Sequence, residues 1–382
     1  MKYRSLILYA AVLLVFSAAA FAAFRINAGK HAAPQETEEE IFPSFAPDQV
    51  TGIEIAYDGG KTPSVLKMEI REGRWIILTS ENAAASRAAV TEFLSALSRT
   101  KPVREIRSPD EETLKELNLS TNPEFSPGSG LGVRLKLTCG GKRDITMFFG
   151  KAHVKHEDAE TALTGRRIFD GRYVRVDEHS GRVHVYLITR VFRNCVPAPH
   201  LWLEPLCLQS AGTGVYRFAC ASLDEKGKEI PVWSVMPNMS LRNFELVYPA
   251  GAVLSMQELA KRLEMLTTPF SRGLLPSAEA EKIRFGHVIH LDTKDGFSGK
   301  LYLAELPDGR AAAKLESDWR IQRRKDETEE AFQHRKLILE ARADDEKKAF
   351  HGRTFLVSPE MVSQMIKVPA GTPRHSERKK DK

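Results

Sequence analysis

The sequence predicts an α+β protein of two tandem, related, mixed sheet-plus-helix units behind an N-terminal transmembrane helix. Three observations predict it. Leu6 to Phe24 is an apolar run of 19 residues without a charge. From Val50 onward, short alternating segments bounded by Gly, Pro and Asn read as strands, with a few amphipathic helices between them. The order strand, turn, strand, tight turn, tryptophan strand, helix, strand, laid down over Val50–Ser108, returns in weaker form about 170 residues later. A duplicated α+β unit of this kind lays its helices across a sheet and buries similar cores twice, and the two sheets could stack or join.

The elements follow in chain order. Lys2 and Arg4 precede the run bounded by Leu6 and Phe24, which is close to the length that spans a bilayer. It exceeds the apolar region of about 7–15 residues in a signal peptide. Ala18-Ala19-Ala20 and Ala20-Phe21-Ala22 nevertheless resemble cleavage sites, so residues 1–25 read as a membrane anchor or, alternatively, a signal peptide. Basic residues before the run and Glu36, Glu38, Glu39 and Glu40 after it orient the bulk of the chain outward. Residues 26–49, with Pro34, Pro43 and Pro47, form a solvated linker.

A first α+β repeat is expected over residues 50–190. Ile53, Ile55 and Tyr57 alternate with Gly52, Glu54 and Ala56, the period of a half-buried strand. Val65–Arg71 and Arg74–Leu78 are joined at Glu72-Gly73, a two-residue hairpin turn. Trp75 reads as a cap on the sheet core, with ligand stacking as its functional alternative. Val90, Phe93, Leu94 and Leu97 make one face of a helix over Arg87–Leu97. Ser108 as N-cap, Pro109 at the first helical position and Asp110, Glu111 and Glu112 in the first turn predict another. Alternation over Val133–Thr138 and the run Ile145–Phe149 make a hairpin. Gly150–Thr164 reads as a polar loop, followed by strands at Gly171–Asp177 and Val183–Ile188.

The second repeat, residues 200–368, holds strands at Val215–Ala221, Pro231–Val235 and Phe244–Tyr248 and a helix at Ser255–Leu266. A short helix at Pro276–Ile283 and strands at His287–Asp292, Gly299–Leu306 and Ala311–Leu315 follow. Thr328–Ala349 is a highly charged helix, expected to dock by a narrow stripe of Phe332, Leu337, Ile338 and Leu339 or to stand as an arm for a partner. Gly352–Ser358 and Pro359–Lys367 end the repeat, and residues 369–382 read as a disordered basic tail. The repeat rests on three pairs. They are Arg87–Leu97 with Ser255–Leu266, Pro109–Leu117 with Pro276–Ile283, and Gly171–Asp177 with Gly352–Ser358, offset by about 168, 167 and 181 positions. The last offset puts an insertion late in the second copy, where the charged helix stands.

Composition narrows the function. Of the net charge of +6, Arg374–Lys382 carries +3 and Lys2 with Arg4 carries +2, leaving the body near neutral. Nucleic acid needs a concentrated basic face and is not an expected partner. Cys139, Cys195, Cys207 and Cys220 lack C-x-x-C spacing, which points away from zinc and redox motifs. Buried free thiols are expected, with one disulfide among the last three as the alternative in an oxidising compartment. His153, His156, Glu157 and Asp158 are the densest set of metal-ligand types, but they fall in the expected loop and are not assigned a metal. His287 and His290, three apart on a strand, point to opposite faces. Gly296-Phe297-Ser298-Gly299 only echoes a nucleophile elbow, since Lys300 replaces the last glycine and strands flank it. No catalytic residue, cofactor or metal is assigned, and no enzyme is expected.

Val50–Asp58, Glu72-Gly73-Arg74-Trp75, the helix ending Phe93-Leu94-Ser95-Ala96-Leu97, and Gly171-Arg172-Tyr173-Val174 resemble the domain-of-unknown-function 4340 family. The resemblance spans residues 50–368 and is closer in the first half, because Pro231 precedes Trp233 and no glycine turn stands before it. It implies an exported, membrane-anchored protein, in some members associated with ABC-transporter components of the gliding-motility type. It implies no catalytic residues. The expected function is therefore a non-enzymatic accessory or scaffold of a cell-envelope complex, with a protein partner such as a transporter-like subunit. The expected location is single-pass in a bacterial inner membrane, with the bulk in the periplasm, or secretion after signal cleavage. The alternative is an exported module that binds a glycan or peptide in a cleft between the two copies; an exported hydrolase comes third.

Overall fold

A computed structural model describes residues 42–57, 64–120, 132–140, 144–154, 169–177, 182–208, 214–238, 243–249, 252–254, 256–369 and 371–373. The chain divides into a segment Met1–Phe45 and a compact unit Ala46–Lys382. The expected anchor bounded by Leu6 and Phe24 lies outside the described residues. Among those described, no helix is long and apolar enough to cross a membrane.

The compact unit is α+β and contains two sheets whose strands all pair antiparallel. In the first half, β1 (Val50–Tyr57), β2 (Ser64–Arg71), β3 (Arg74–Ile77) and β4 (Ala83–Ala84) precede helix α1 (Arg87–Ser98). Strand β5 (Pro102–Ile106) and the short helix α2 (Glu111–Glu116) lead to β6 (Val133–Cys139), β7 (Ile145–Val154), β8 (Phe169–Asp177) and β9 (Val183–Ile188). The nine strands lie in the order β4-β3-β2-β1-β6-β7-β8-β9-β5.

The second half holds β10 (Val215–Leu223), β11 (Glu229–Asn238), β12 (Asn243–Tyr248), β13 (Ala252–Leu254), α3 (Met256–Thr267), β14 (Ser271–Leu274) and α4 (Ser277–Ala280). It continues through β15 (His287–Thr293), β16 (Phe297–Glu305), β17 (Ala311–Trp319), α5 (Glu329–Phe350), β18 (Thr354–Val357), α6 (Pro359–Ile366) and β19 (Gly371–Pro373). The order is β14-β18-β17-β16-β15-β10-β11-β12-β13-β19. Read from its other end and without β19, the second sheet has the strand order of the first, element for element, with α1 and α2 at the positions of α3 and α4.

This correspondence corrects two expectations. Gly171–Asp177 lies in β8, whose place is taken by β17, while the Gly352–Ser358 stretch supplies β18, which stands where β9 does. A shared Gly-Arg and a valine misled the pairing by one strand. The first sheet passes from β8 to β9 within residues 178–182, whereas residues 320–353, including α5, separate β17 from β18. Trp75 and Trp233 are not counterparts either, because Trp75 is on the third strand of its half and Trp233 on the second. Three further differences are local. Asp110, not Ser108, caps α2, its carboxylate accepting from the Thr113 amide at 2.8 Å, while Ser108 takes a left-handed φ of +48°. Gly150–Val154 continues β7 instead of opening a loop, and His156, Glu157 and Asp158 lie outside the described residues. The expected tail contributes β19, which pairs with β13; residues 374–382 lie outside the described residues.

The cores follow from the alternation. Ile53, Ile55, Leu66, Met68, Leu135, Leu137, Met147 and Phe149 are buried on the first sheet, where α1 sets Val90, Phe93, Leu94 and Leu97. Phe93 meets Trp202 edge-on at 5.0 Å between centroids. On the second sheet Trp233 packs edge-on against Phe218 at 5.0 Å, and its indole N–H donates to the carbonyls of Met365 and Ile366 at 3.1 and 3.2 Å. Truncating either buried tryptophan or Phe93 removes a contact of the class that costs about 3–5 kcal/mol.

A seam joins the sheets. Residues 199–208 run along it, with the Ser86 amide donating to the Trp202 carbonyl at 2.7 Å and the Glu204 amide to the Ala84 carbonyl at 2.8 Å. The Leu208 amide donates to the Leu266 carbonyl of the second half at 2.7 Å. Glu81, in the β3–β4 turn, accepts from the amide and hydroxyl of Ser277 at 2.7 and 2.6 Å, and Arg353 donates to the Asn82 carbonyl at 3.0 Å. Helix α5 lies on β17 and reaches β4 of the first sheet.

Candidate functional site

A cleft of about 590 Å³ opens where α5 crosses to the first sheet. That volume falls within the ~300–1,000 Å³ range of small-molecule sites. Three pieces of chain wall it: Ile70 and Glu72–Trp75 of the β2–β3 hairpin with Ala84, Ala85 and Arg87; Glu204, Pro205 and Cys207 of the seam; and Arg342, Asp345, Glu346, Ala349 and Phe350 of α5.

Local sequence explains how each wall forms. Glu72 and Gly73 both take positive φ, +50° and +77°, the backbone of a two-residue hairpin turn whose twist matches its strands. That turn holds Arg74 and Trp75 at the mouth. In α5, Thr328 accepts from the Ala331 amide at 3.3 Å as N-cap. Phe350, at the other end, meets Phe355 of β18 at 5.8 Å. Between these fixed ends, residues 342, 345, 346 and 349 repeat at helical spacing and present one side to the cleft.

The site is polar at its floor. Glu346 is 9% exposed and its Oε1 has no hydrogen-bond partner. Burial pushes the Glu346 carboxyl above its ordinary range, with a hydrogen bond to Ser317 and the charge of Arg342 opposing. Burial also raises Glu204, against a hydrogen bond from the Arg87 amide and the charge of Arg74. Cys207 donates its thiol to the Thr267 carbonyl. Its thiol is raised by burial first and then by Glu204 and Glu346, with Arg342 opposing, so both carboxylates lie within electrostatic range of one sulfur. A thiol so placed is held as the protonated form and is a poor nucleophile. At the mouth Arg74 forms an ion pair with the Asp345 carboxylate and donates to the Asp345 carbonyl at 3.3 Å.

The residues singled out in the sequence distribute differently. Trp75 lines the cleft and is half-buried, so it serves both as sheet cap and as cleft wall. Asp110 is a helix cap, and Glu111 bonds to Ser120. His153 pairs with Asp170 at 2.7 Å and His290 with Glu229 at 2.8 Å, at separate places. Ser298 begins a strand of a β-hairpin and donates to Asp292 at 2.6 Å. Cys139, Cys195 and Cys220 are buried and Cys207 is half-buried, and none of the four is in a disulfide. Among the described residues no group of three or more His, Cys, Asp or Glu is arranged to hold a metal.

Glu204 and Glu346 carried no signal in the sequence. Glu346 is one of many charges on a helix whose charge density reads as solvation, and Glu204 sits between prolines in a connecting segment. Only the crossing of α5 over the first sheet brings them to one place. Comparison with family models, with curated proteins and with solved structures returns no match.

Proposed function

We propose that this chain is a non-enzymatic, membrane-anchored, extracytoplasmic binding component of a cell-envelope complex, with the cleft beneath α5 as its ligand site. The observation that carries the reading is the cleft itself, walled by the first sheet, the seam and the inserted helix, with a buried carboxylate at its floor of which one oxygen has no hydrogen-bond partner. The uncharged run Leu6–Phe24 and the acidic linker support tethering with the body outside. The equal strand orders support descent of the two sheets from one duplicated unit, with α5 inserted in the second copy. The resemblance to the family named above agrees with anchoring and with an envelope partner.

The anchoring is tested in a producing Gram-negative host. We expect the full chain to stay in the membrane pellet after an alkaline carbonate wash, and protease added to spheroplasts to digest the body. Release by carbonate, or protection from the protease, would contradict it.

One observation favours a second reading, an exported hydrolase. Glu204 and Glu346 are two carboxyls raised by burial in one cleft, the environment in which an acid and a base can divide roles. The burial of Glu346 and its bond to Ser317 favour binding over proton transfer to a substrate.

A further inference from the structure

We infer that the cleft takes a cationic nitrogen group, an alkylammonium or guanidinium, seated on Glu346 and Glu204 and flanked by Trp75. This rests on the reading of the cleft as the chain's ligand site and names the chemistry of that ligand.

Glu346 is nine-tenths buried, lines the cleft, and keeps an oxygen with no hydrogen-bond partner. A buried acceptor left in that state has given up water without gaining a partner, a cost that grows when it carries charge. A donor brought by a ligand removes that cost.

The charge pattern selects the kind of donor. Glu204 stands near the same floor, since both carboxylates act on the Cys207 sulfur. Of the wall cations, Arg74 pairs with Asp345, and Arg342 acts on Glu346 and on the Cys207 sulfur. Arg87 has an exposed side chain at the rim and gives Glu204 its backbone N–H. The walls thus carry Glu72, Glu204, Asp345 and Glu346 against Arg74, Arg87 and Arg342, and none of these cations donates to the Glu346 Oε1. An anion would meet two carboxylates there, and a neutral polyol would bring that oxygen only a neutral donor. An ammonium or guanidinium satisfies the orphan oxygen with a charge-assisted bond, about twice as strong as a neutral one. The aromatic side chain of Trp75 adds a surface suited to a cation. Glu72 and Asp345 continue the acidic character toward the mouth, where the cation would enter.

Two sources carry this chemistry, a free diamine and the basic side chains of a peptide. Calorimetric titration of the full chain in detergent micelles separates them, with cadaverine, tetralysine, maltotetraose and tetraglutamate as probes. We expect saturable one-to-one binding of cadaverine or of tetralysine. Glu346→Gln should weaken it at least tenfold and Trp75→Ala several-fold, while Glu225→Gln, on the exposed β10–β11 turn, should leave it unchanged. A melting temperature of Glu346→Gln at or above that of the parent shows that the loss is not unfolding. No binding by either amine, or amine binding that Glu346→Gln leaves unchanged, overturns the inference. Binding of maltotetraose alone, lost in Glu346→Gln, overturns the cationic ligand but keeps the cleft as the binding site. Silence of all four probes counts against both.

Discussion

At the scale of single residues, burial decides which charged groups are ordinary and which are not. His290 is 8% exposed and pairs with Glu229 at 2.8 Å, yet burial is the largest influence and holds its imidazole below the ordinary value of 6.5. The charge of Glu229 and its hydrogen bond oppose this, while Arg217 and Lys300 add to it. A depressed folded value means that the unfolded chain takes the proton first as pH falls. The stability contributed by neutral His290 is therefore complete above pH 6.5 and is lost as pH falls through the folded value. We expect denaturant unfolding to show a decline in stability below about pH 6.5 that is shallower in His290→Gln. Equal slopes in the two proteins would show that the imidazole does not titrate differently on folding. The buried thiols carry no comparable switch, since burial pushes Cys195 and Cys220 up to about 12.

Legibility at this scale was uneven. Val90, Phe93, Leu94 and Leu97 could be read as one buried face because a helix repeats every 3.6 residues, and they are one. The hairpin turn at Glu72-Gly73 was equally plain, since its backbone needs residues that accept positive φ. Glu204 and Glu346 were not readable, because nothing local distinguishes a carboxylate in a cleft from one in water. Trp75 was readable only in half of its role.

At the scale of elements, α5 is the informative one. Its start is pinned by Glu327, which takes two bonds of 2.7 Å from Arg335 and is held down to about 2 by that guanidinium above all. Sequence pattern predicted a docking stripe of Phe332, Leu337, Ile338 and Leu339. Only Leu339 of these is buried, while Leu337 and Ile338 are 68% and 54% exposed. The helix docks instead through Leu339, Glu346, Ala349 and Phe350, spaced along its C-terminal part. A stripe so thin cannot be separated by periodicity from the many charges around it. The exposed pair is an apolar spot on the outer side of a charged helix, and it would suit the partner contact that the proposed envelope role calls for. We expect Leu337→Ser with Ile338→Ser to abolish co-purification of an envelope partner from crosslinked membranes while leaving the melting temperature within about 2 °C of the parent. Unchanged co-purification would remove α5's outer side from the interface.

At the scale of the whole molecule, the strand orders of the two sheets match when one is read from its opposite end. The match could not be had from residues alone. The helices stood out as landmarks, but the strands are short, alternate alike and can be paired one position off, as Gly171–Asp177 and Gly352–Ser358 were. What differs between the halves is as telling as what agrees. The first sheet passes from β8 to β9 within residues 178–182 where the second carries α5, and α5 crosses back to β4 and the β2–β3 hairpin of the first. The insertion thus closes a cleft that neither sheet forms by itself. Glu81 with Ser277 and Arg353 with Asn82 hold the two sheets beside it in one unit.

The most direct test of that claim is hydrogen–deuterium exchange of the full chain with and without whichever of cadaverine and tetralysine it binds. The account predicts added protection at three separated stretches together, residues 72–75, 204–207 and 342–350, and little change elsewhere. Protection confined to one sheet, protection at a different surface, or no change in any of the three would contradict it.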